Sequence, residues 1–280
     1  MRASRSLRHE YERYLEDEIE AYKELLSRPE LLALGDAAAA VALRTVAGDE
    51  LTELILCEEV DRIVARRLKL PSYRTWRRRY MARLAELRQP ERWGLAAWAT
   101  LVRELVASRD GEHVLVAGVD DEDAVMFSAA LGCAVTTVGY EPEAVGRTVA
   151  AAEASGLGRR VRACVGDLDA WMPEAGLRVV LCSTGALSRV EAGARAEVID
   201  LLQRATLPGG AHFVRAPRGT FAVREAEPAW VRELESQYVG WMTAVEDCGG
   251  GRPTFVARKL AARVSERDGC PAACVSERDR

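Results

Sequence analysis

The sequence predicts an α/β protein in which an all-helical bundle precedes a doubly wound, mostly parallel sheet. From residue 5 to about residue 108, apolar residues recur three and four positions apart without an alternating run, which is typical of amphipathic helices. After Gly111, strand-like apolar runs alternate with helical segments, which is typical of a parallel sheet with helices on both faces. The expected domains are therefore a helical bundle or lid at residues 1–108, an α/β domain at 109–260 and a tail at 261–280.

The first domain is expected to hold several helices of ordinary length. The amphipathic segments are "YERYLEDEIEAYKELLSR", "DAAAAVALRTVAG", "DELTELILCEEVDRIVARRL" and "PERWGLAAWATLVRELVAS", with a short basic helix opened by Pro71 and Ser72. No heptad repeat persists along these segments, so they predict a small bundle rather than a coiled coil. We expect this bundle to lie over the carboxyl ends of the strands and to help form a substrate pocket.

The second domain is expected to contain five strands in alternation with helices, followed by a helix and two further strands. The predicted strands are "HVLVAGV", "AVTTVGYE", "RVRACVGD", "LRVVLCS" and "GAHFVRAP", and the last two strands are joined by the glycine-rich turn "DCGGGRP". The tail carries "VSERD" twice around "GCPAAC". A charged repeat of this kind cannot bury a core, so we expect the tail to be disordered.

The composition is that of an ordinary soluble protein. The chain has 280 residues and a formal net charge of -4, which argues against nucleic acid as its main partner. No segment approaches the roughly 20 apolar residues that span a bilayer, and the first residues lack the apolar core of a signal peptide. We therefore expect a cytoplasmic protein that does not insert into a membrane. The cysteines and histidines lack the spacing of a metal site, so no metal is expected.

One segment, "RRLKLPSYRTWRRRYMAR", is strongly basic in spite of the negative total charge. Three interpretations of it stay open: a solvated helix face, a clamp for an anionic small-molecule substrate, or a patch that meets nucleic-acid phosphates. Tyr73 and Arg74 lie near the start of the segment. We take these two residues as candidates for substrate binding.

In a doubly wound sheet the ligand lies beyond the carboxyl ends of the strands, where the strand order switches. The residues that follow each predicted strand are therefore the candidate cofactor ligands. They are Gly118 and Asp120 after the first strand, Glu141 after the second, Gly166, Asp167 and Leu168 after the third, and Ser183 after the fourth.

The chemistry of these side chains points to a nucleoside without a pyrophosphate. Glu141 offers two acceptor oxygens to the two hydroxyls of a ribose. Asp167 can accept from the exocyclic amine of an adenine while the backbone amide of Leu168 meets a ring nitrogen. Gly118 lets the chain turn closely against the ligand. The acidic run 120–122 would repel a pyrophosphate, which argues against NAD and FAD.

The order of several motifs resembles the class I S-adenosylmethionine-dependent methyltransferase family, whose fold is Rossmann-like. The motifs are "VLVAG", "VGYEPEAV", "GLGRRVRACVGDLDAW", "VVLCS" and "LLQRATLPGGAHFV", and they cover roughly residues 108 to 260. The most specific of them are "VGDL" and "LPGG". The first glycine motif is divergent: the family pattern D/E-x-G-x-G-x-G corresponds here to Val116, Gly118, Asp120 and Glu122.

This resemblance implies S-adenosyl-L-methionine as the cofactor. In the family the first loop meets the methionine moiety, the acid after the second strand binds the ribose and the acid after the third lies near the adenine. Two alignments of "VGYEPEAV" stay open. One places the ribose position on Gly139, and the preferred one places it on Glu141, because this residue follows an apolar strand and precedes a helix-starting proline.

The function that the resemblance implies is methyl transfer to an N, O or C nucleophile of a small molecule. This reaction depends mainly on in-line positioning, which explains why no catalytic residue is apparent from the sequence. Two alternatives stay open. One is an enzyme that cyclises or cleaves the same cofactor, and the other is a non-catalytic binding module whose divergent loop has lost the cofactor.

Overall fold

The computed structural model describes residues 6–45, 53–118, 120–216, 229–247 and 253–261. The chain divides into two compact units, Met1–Glu86 and Leu87–Arg280. The first unit thus ends at Glu86, and the domain bounds expected from the sequence stay a prediction. The tail that we expect to be disordered lies, from residue 262 onward, outside the described residues.

The first unit is helical throughout its described residues. Its helices are α1 (Leu7–Glu24), α2 (Arg28–Thr45), α3 (Glu53–Arg67) and α4 (Tyr73–Leu87), the last of which ends at the boundary. Ile19, Leu34 and Val64, one from each of the first three helices, are buried together in a small core. The predicted all-helical N-terminal region is confirmed.

Helix α5 (Thr100–Ala107) packs into the core of the second unit. Leu101 and Leu105 of α5 are buried in the same apolar cluster as Val114 of the first strand and Phe127 of the next helix. Burial of such side chains contributes about 1.5–3 kcal/mol each. The periodicity of α5 identified a helix but could not show which core it joins.

A seven-stranded sheet of order β3-β2-β1-β4-β5-β7-β6 forms the centre of the second unit. The strands are β1 (His113–Ala117), β2 (Ala134–Gly139), β3 (Val161–Val165), β4 (Leu177–Ser183), β5 (Thr206–Arg215), β6 (Met242–Asp247) and β7 (Pro253–Arg258). Strands β1 to β5 pair in parallel, and β7 is antiparallel to both of its neighbours. This arrangement confirms the predicted mostly parallel sheet.

Helices cover both faces of the sheet. They are α6 (Glu122–Leu131), α7 (Pro142–Ala154), α8 (Thr184–Arg189), α9 (Ala192–Ala205) and α10 (Ala229–Gln237). Val114 and Val116 of β1 join the apolar cluster of α5 and α6, whereas Leu115 and Ala117 join the cluster of α9 and α10. Successive side chains of a strand point to opposite faces, so both faces of β1 are buried and the sheet is doubly wound, as predicted.

Two local features differ from the expectation. Strand β5 begins at Thr206, so that "LPGG" lies inside the strand instead of before it, and Gly209 and Gly210 exchange backbone hydrogen bonds with Lys259. Helix α8 follows β4 directly, where the sequence pattern indicated none. It has six residues, which is too short to show a helical period.

Candidate cofactor site

The strand order reverses between β1 and β4, because the chain continues from β1 to β2 on one side and returns to β4 on the other. The backbone amide of Gly118 donates to the Val138 carbonyl at 2.9 Å, and that of Gly166 donates to the Gly139 carbonyl at 2.9 Å. These bonds hold the ends of β1, β2 and β3 level with one another. A ligand-sized cleft at this edge is what the switch in strand order predicts.

The cleft has a volume of about 10 Å³, room for about one water molecule, so it must open before it can hold a nucleoside. Four of the predicted ligand residues line it: Gly118, Gly166, Asp167 and Leu168. Its other polar lining residues, Tyr140 and Arg189, were not among the predicted ligands. Tyr140 lies within the motif "VGYEPEAV", but the ligand role was assigned to its neighbour Glu141, and Arg189 lies outside the motifs. A Cβ atom at Gly166 would have no neighbour within 4 Å, so the backbone at this position faces open space.

Gly118 is the position at which the backbone most strictly requires glycine. Its φ angle is 136°, in a region that side chains rarely adopt. A Cβ atom here would lie 2.9 Å from the Cβ of Ser183 and even closer to its hydroxyl oxygen. Gly118 therefore allows the loop after β1 to pass directly over the end of β4.

Asp167 already has a partner within the cleft. Its Oδ1 accepts a hydrogen bond from Nε of Arg189 at 2.6 Å, and the Arg189 guanidinium lies 3.9 Å from the centre of the Tyr140 ring. The hydrogen bond to Asp167 raises the pKa of Arg189. A planar base cannot fit between a guanidinium and a ring in contact, so a ligand that uses Asp167 must move Arg189.

Glu141 and Asp120 lie at the rim, and both side chains are exposed. Glu141 is the N-cap residue of α7, although its side chain does not cap the helix. It forms a hydrogen bond with the Tyr140 hydroxyl, which raises the pKa of Tyr140. Glu141 is thus adjacent to the cleft, while Gly139, the alternative ribose position, is the last residue of β2 and lines the cleft through its backbone.

The acidic run after β1 divides into exposed and buried members. Asp121 is completely buried, and its Oδ1 accepts from Nη1 of Arg215 at 2.9 Å. Arg215 is the last residue of β5 and is 4% exposed. Asp123 Oδ1 lies 3.9 Å from the same nitrogen. The sequence suggested only a charged loop, and the signal that was missed is the arginine that ends an otherwise apolar strand.

Ser183 is the last residue of β4 and the N-cap of α8. Its hydroxyl accepts a hydrogen bond from the Ala186 amide at 3.0 Å, and the side chain is buried against Gly118. The observed role of the hydroxyl is therefore to begin a helix. Its role as a cofactor ligand stays a prediction.

Tyr73 and Arg74 begin helix α4 in the first unit. Tyr73 packs against Tyr11 and Trp76 in an aromatic cluster, whereas Arg74 is exposed beside Arg77 and Arg78. A surface depression on this helix is lined by Tyr73 and the three arginines. Substrate binding by Tyr73 and Arg74 stays a prediction.

Other ionisable groups of the second unit belong to its core. His212 is buried between Tyr238, 2.7 Å from Nδ1, and Thr206, 2.6 Å from Nε2. Burial lowers the pKa of His212 to about 3, and burial raises the pKa of the Cys182 thiol to about 12. The imidazole is thus neutral and the thiol protonated, so neither group is an available base or nucleophile.

Two further properties of the described residues concern metal binding and membrane crossing. Across the described ranges, no group of three or more histidine, cysteine or acidic side chains is arranged to hold a metal ion. None of the described helices combines the length and apolar character that crossing a membrane requires.

The sequence matches no protein-family profile and no curated protein. It is similar in structure to a SAM-dependent methyltransferase from Aquifex aeolicus, at 15% identity over 64% of this chain and 98% of that chain, with a TM-score of 0.46. The glycopeptide N-methyltransferase MtfA in complex with S-adenosyl-L-methionine has 16% identity over 57% of this chain and 86% of that chain, at TM-score 0.42. The [4+2]-cyclase SpnF has 16% identity over 58% of this chain and 80% of that chain, at TM-score 0.43.

The strand order and strand directions of the sheet identify the fold of the second unit. Five parallel strands with a switch between β1 and β4 are followed by β7, inserted antiparallel between β5 and β6. This is the antiparallel addition that the resemblance to methyltransferases implies. The second unit of the chain therefore has the class I methyltransferase fold.

Proposed function

We propose that the protein is an S-adenosyl-L-methionine-dependent methyltransferase that acts on a small molecule. The observation that carries this proposal is the convergence of Gly118, Gly166, Asp167 and Leu168 on one cleft at the switch point of the sheet. These residues come from two separate loops. The sequence predicted Asp167 and Leu168 as ligands of the adenine and Gly118 as a close backbone turn against the cofactor. Their meeting in one cleft supports the adenosine moiety as ligand.

The residues present fit this cofactor better than they fit a dinucleotide. Gly118 forms a close backbone approach that a Cβ atom would fill. In the proposed complex Glu141 accepts the ribose hydroxyls, and Asp167 accepts the adenine amine in place of Arg189. S-adenosyl-L-methionine has no phosphate and carries a sulfonium and an ammonium, so acids near the first loop are compatible with it.

The chain's contribution to the reaction is positioning. S-adenosyl-L-methionine supplies an electrophilic methyl group when it is bound. The loop at Gly118 and the start of α8 at Ser183 are in contact with each other. In the proposed complex they would therefore hold the cofactor and the acceptor close together. Proximity and orientation of this kind contribute most of the acceleration when no proton must be removed in the rate-limiting step.

The experiment that tests the proposal is calorimetric titration of the full chain with S-adenosyl-L-methionine, with NAD as the matched control. We expect the first ligand to bind and NAD to give no heat of binding, because the acidic loop repels a pyrophosphate. No binding of S-adenosyl-L-methionine at millimolar concentration would contradict the proposal and favour a non-catalytic module.

Mass spectrometry of the cofactor after incubation with candidate acceptors then identifies the reaction. S-adenosylhomocysteine together with a product that is heavier by the mass of one CH₂ group indicates methyl transfer. Methylthioadenosine would instead indicate cleavage or cyclisation of the cofactor and would contradict methyl transfer.

A further inference from the structure

We propose that a second cavity in the α/β unit, bordered by other residues of α8 than those that line the cofactor cleft, binds the acceptor, and that the acceptor is a compact aromatic molecule carrying a cationic or hydrogen-bond-donating group. The cavity has a volume of about 270 Å³. Small-molecule pockets commonly measure about 300–1,000 Å³, so a ligand of one or two rings suits this one. The acceptor role, but not the binding itself, rests on the proposed function.

The position of the cavity follows from helix α8. Ala186 and Arg189 of this helix line the cofactor cleft, whereas Leu187 and Ser188 line the second cavity. The six-residue helix therefore contributes residues to the lining of both spaces. A molecule in the second cavity lies beside the carboxyl end of β4, because Thr184 and Gly185, which directly follow that strand, also line it.

The walls of the cavity are apolar and include one aromatic ring. Leu187, Val214 and Leu234 are each buried, and they contribute to the lining together with the half-buried Trp230. An indole that is partly exposed inside an apolar cavity offers a flat surface for stacking. Stacking of aromatic rings contributes about 0.5–1.5 kcal/mol beyond the burial of area, so a flat ligand is favoured over a globular aliphatic one.

The charges at the cavity favour a cation or a donor over an anion. Arg195 lines the cavity, but its guanidinium donates to the Leu187 carbonyl at 3.0 Å and to Glu233 Oε1 at 3.0 Å. Its positive charge is thus compensated by an acid in the same cavity. Glu233 is about half exposed and keeps a second carboxylate oxygen, which can accept from a ligand. An anionic acceptor would meet this carboxylate and be repelled.

The inference is tested with three indole probes that differ in charge, measured by equilibrium dialysis against the full chain without cofactor. The probes are tryptamine, 3-methylindole and indole-3-acetate. We expect tryptamine to bind most tightly, 3-methylindole more weakly and indole-3-acetate most weakly. Absence of binding for all three, or preference for indole-3-acetate, would overturn the inference.

Two variants assign the binding to this cavity. We expect Trp230→Ala to weaken tryptamine and 3-methylindole at least tenfold, while Trp98→Ala, which removes an exposed tryptophan elsewhere in the unit, changes neither. Glu233→Gln should abolish the preference for tryptamine over 3-methylindole without weakening 3-methylindole, and this substitution serves as the independent test should Trp230→Ala fail to fold. Binding that neither variant changes would overturn the assignment.

The outcome is separable from that of the proposed function. A chain that binds S-adenosyl-L-methionine but none of the probes overturns only the second cavity as a binding site. A chain that binds the probes in a manner dependent on Trp230, but does not bind the cofactor, supports the cavity and contradicts its role in methyl transfer.

Discussion

Two arginine–aspartate pairs lie at the carboxyl end of the same sheet, and they differ in burial far more than in length. Arg215 and Asp121 are 2.9 Å apart, with side chains 5% and 0% exposed. Arg189 and Asp167 are 2.6 Å apart, with side chains 44% and 39% exposed. The shorter pair is thus the one in contact with water.

This difference in burial assigns the two pairs different tasks. A half-exposed ion pair contributes about 0–1 kcal/mol, because water competes for both charges. Removing one partner of a buried pair costs about 3–5 kcal/mol, because the remaining charge has lost its compensation and cannot reach water. The buried pair of Arg215 and Asp121, here called the inner pair, therefore fixes the loop after β1 onto β5. The half-exposed pair of Arg189 and Asp167, here called the outer pair, can be exchanged for a ligand at a small cost in free energy.

The largest effect is expected from breaking the inner pair. Arg215→Ala should lower the free energy of unfolding by about 3–5 kcal/mol, measured by urea denaturation of the full chain, because the buried carboxylate of Asp121 loses the compensating charge of Arg215. The double variant Asp121→Leu with Arg215→Met removes both charges and should recover most of this loss. A loss of unfolding free energy below about 1 kcal/mol for Arg215→Ala would mean that the inner pair contributes no more than an exposed ion pair. This result would contradict the different tasks assigned to the two pairs.

His212, which is buried and neutral, makes the stability of the protein depend on pH. The pKa of His212 is lowered to about 3 from its ordinary 6.5, mainly by burial and also by Lys259. Between pH 6.5 and 3 the unfolded chain therefore binds a proton that the folded chain does not, so this group makes stability fall as pH falls. The expected slope of the unfolding free energy is about 1.4 kcal/mol per pH unit at most.

The variant His212→Gln should lose this part of the slope between pH 6 and about pH 4.5, as measured by urea denaturation at each pH. Leu202→Ala provides the control. It weakens the apolar cluster that contains Tyr238, the ring neighbour of His212, without removing a titratable group. Equal slopes for His212→Gln and the unaltered chain would show that His212 does not titrate in this way.

The acids of the cofactor cleft should affect binding rather than folding. We expect Asp167→Ala and Glu141→Ala each to weaken S-adenosyl-L-methionine at least tenfold by calorimetry, about 1.4 kcal/mol, because each removes a proposed hydrogen-bond acceptor. The unfolding free energy should change little, since both side chains are partly or fully exposed. Unchanged affinity in both variants would mean that the adenosine ligands are wrongly assigned.

The smallest effect, and the sharpest test of the outer pair, concerns Arg189. Arg189→Ala should tighten S-adenosyl-L-methionine binding by up to about fivefold, since Asp167 no longer has to release an ion pair worth about 1 kcal/mol or less. Arg162→Ala is the matched control, because it removes an exposed arginine paired with Glu174 outside the cleft. Weaker cofactor binding by Arg189→Ala would show that Arg189 holds the ligand rather than competing with it.

The strands and most helices of the second unit were predictable because their apolar periods are local. The predicted bounds of β4, "LRVVLCS", are those of the structure, and the other strands differ mainly at their ends. The beginning of β5 differs most, because Thr206 to Gly210 are held by pairing with distant partners such as Lys259 rather than by a local pattern. Helix α8 was not predicted although its N-cap at Ser183 is local, because six residues are too few to show a helical period.

The cleft itself could be predicted only in part. Gly118, Gly166, Asp167 and Leu168 were identifiable because the end of each strand is visible in the sequence and the ends of parallel strands meet at one edge. Arg189, Tyr140 and Trp230 were not, because their importance depends on which helix packs beside which loop. The same holds for Arg215, whose partner is 94 residues away along the chain.

The sequence by itself determined the fold class, the helical character of the N-terminal region, the strand ends where a ligand is expected and the poor match of an acidic loop to a pyrophosphate. These properties follow from local hydrophobic period, turn chemistry and charge. Only the tertiary structure decided which acids are buried, which arginine pairs with which aspartate, and that α8 lines two cavities. Burial and long-range pairing determine those features, because the strength of a charge interaction depends on how much water the folded chain excludes.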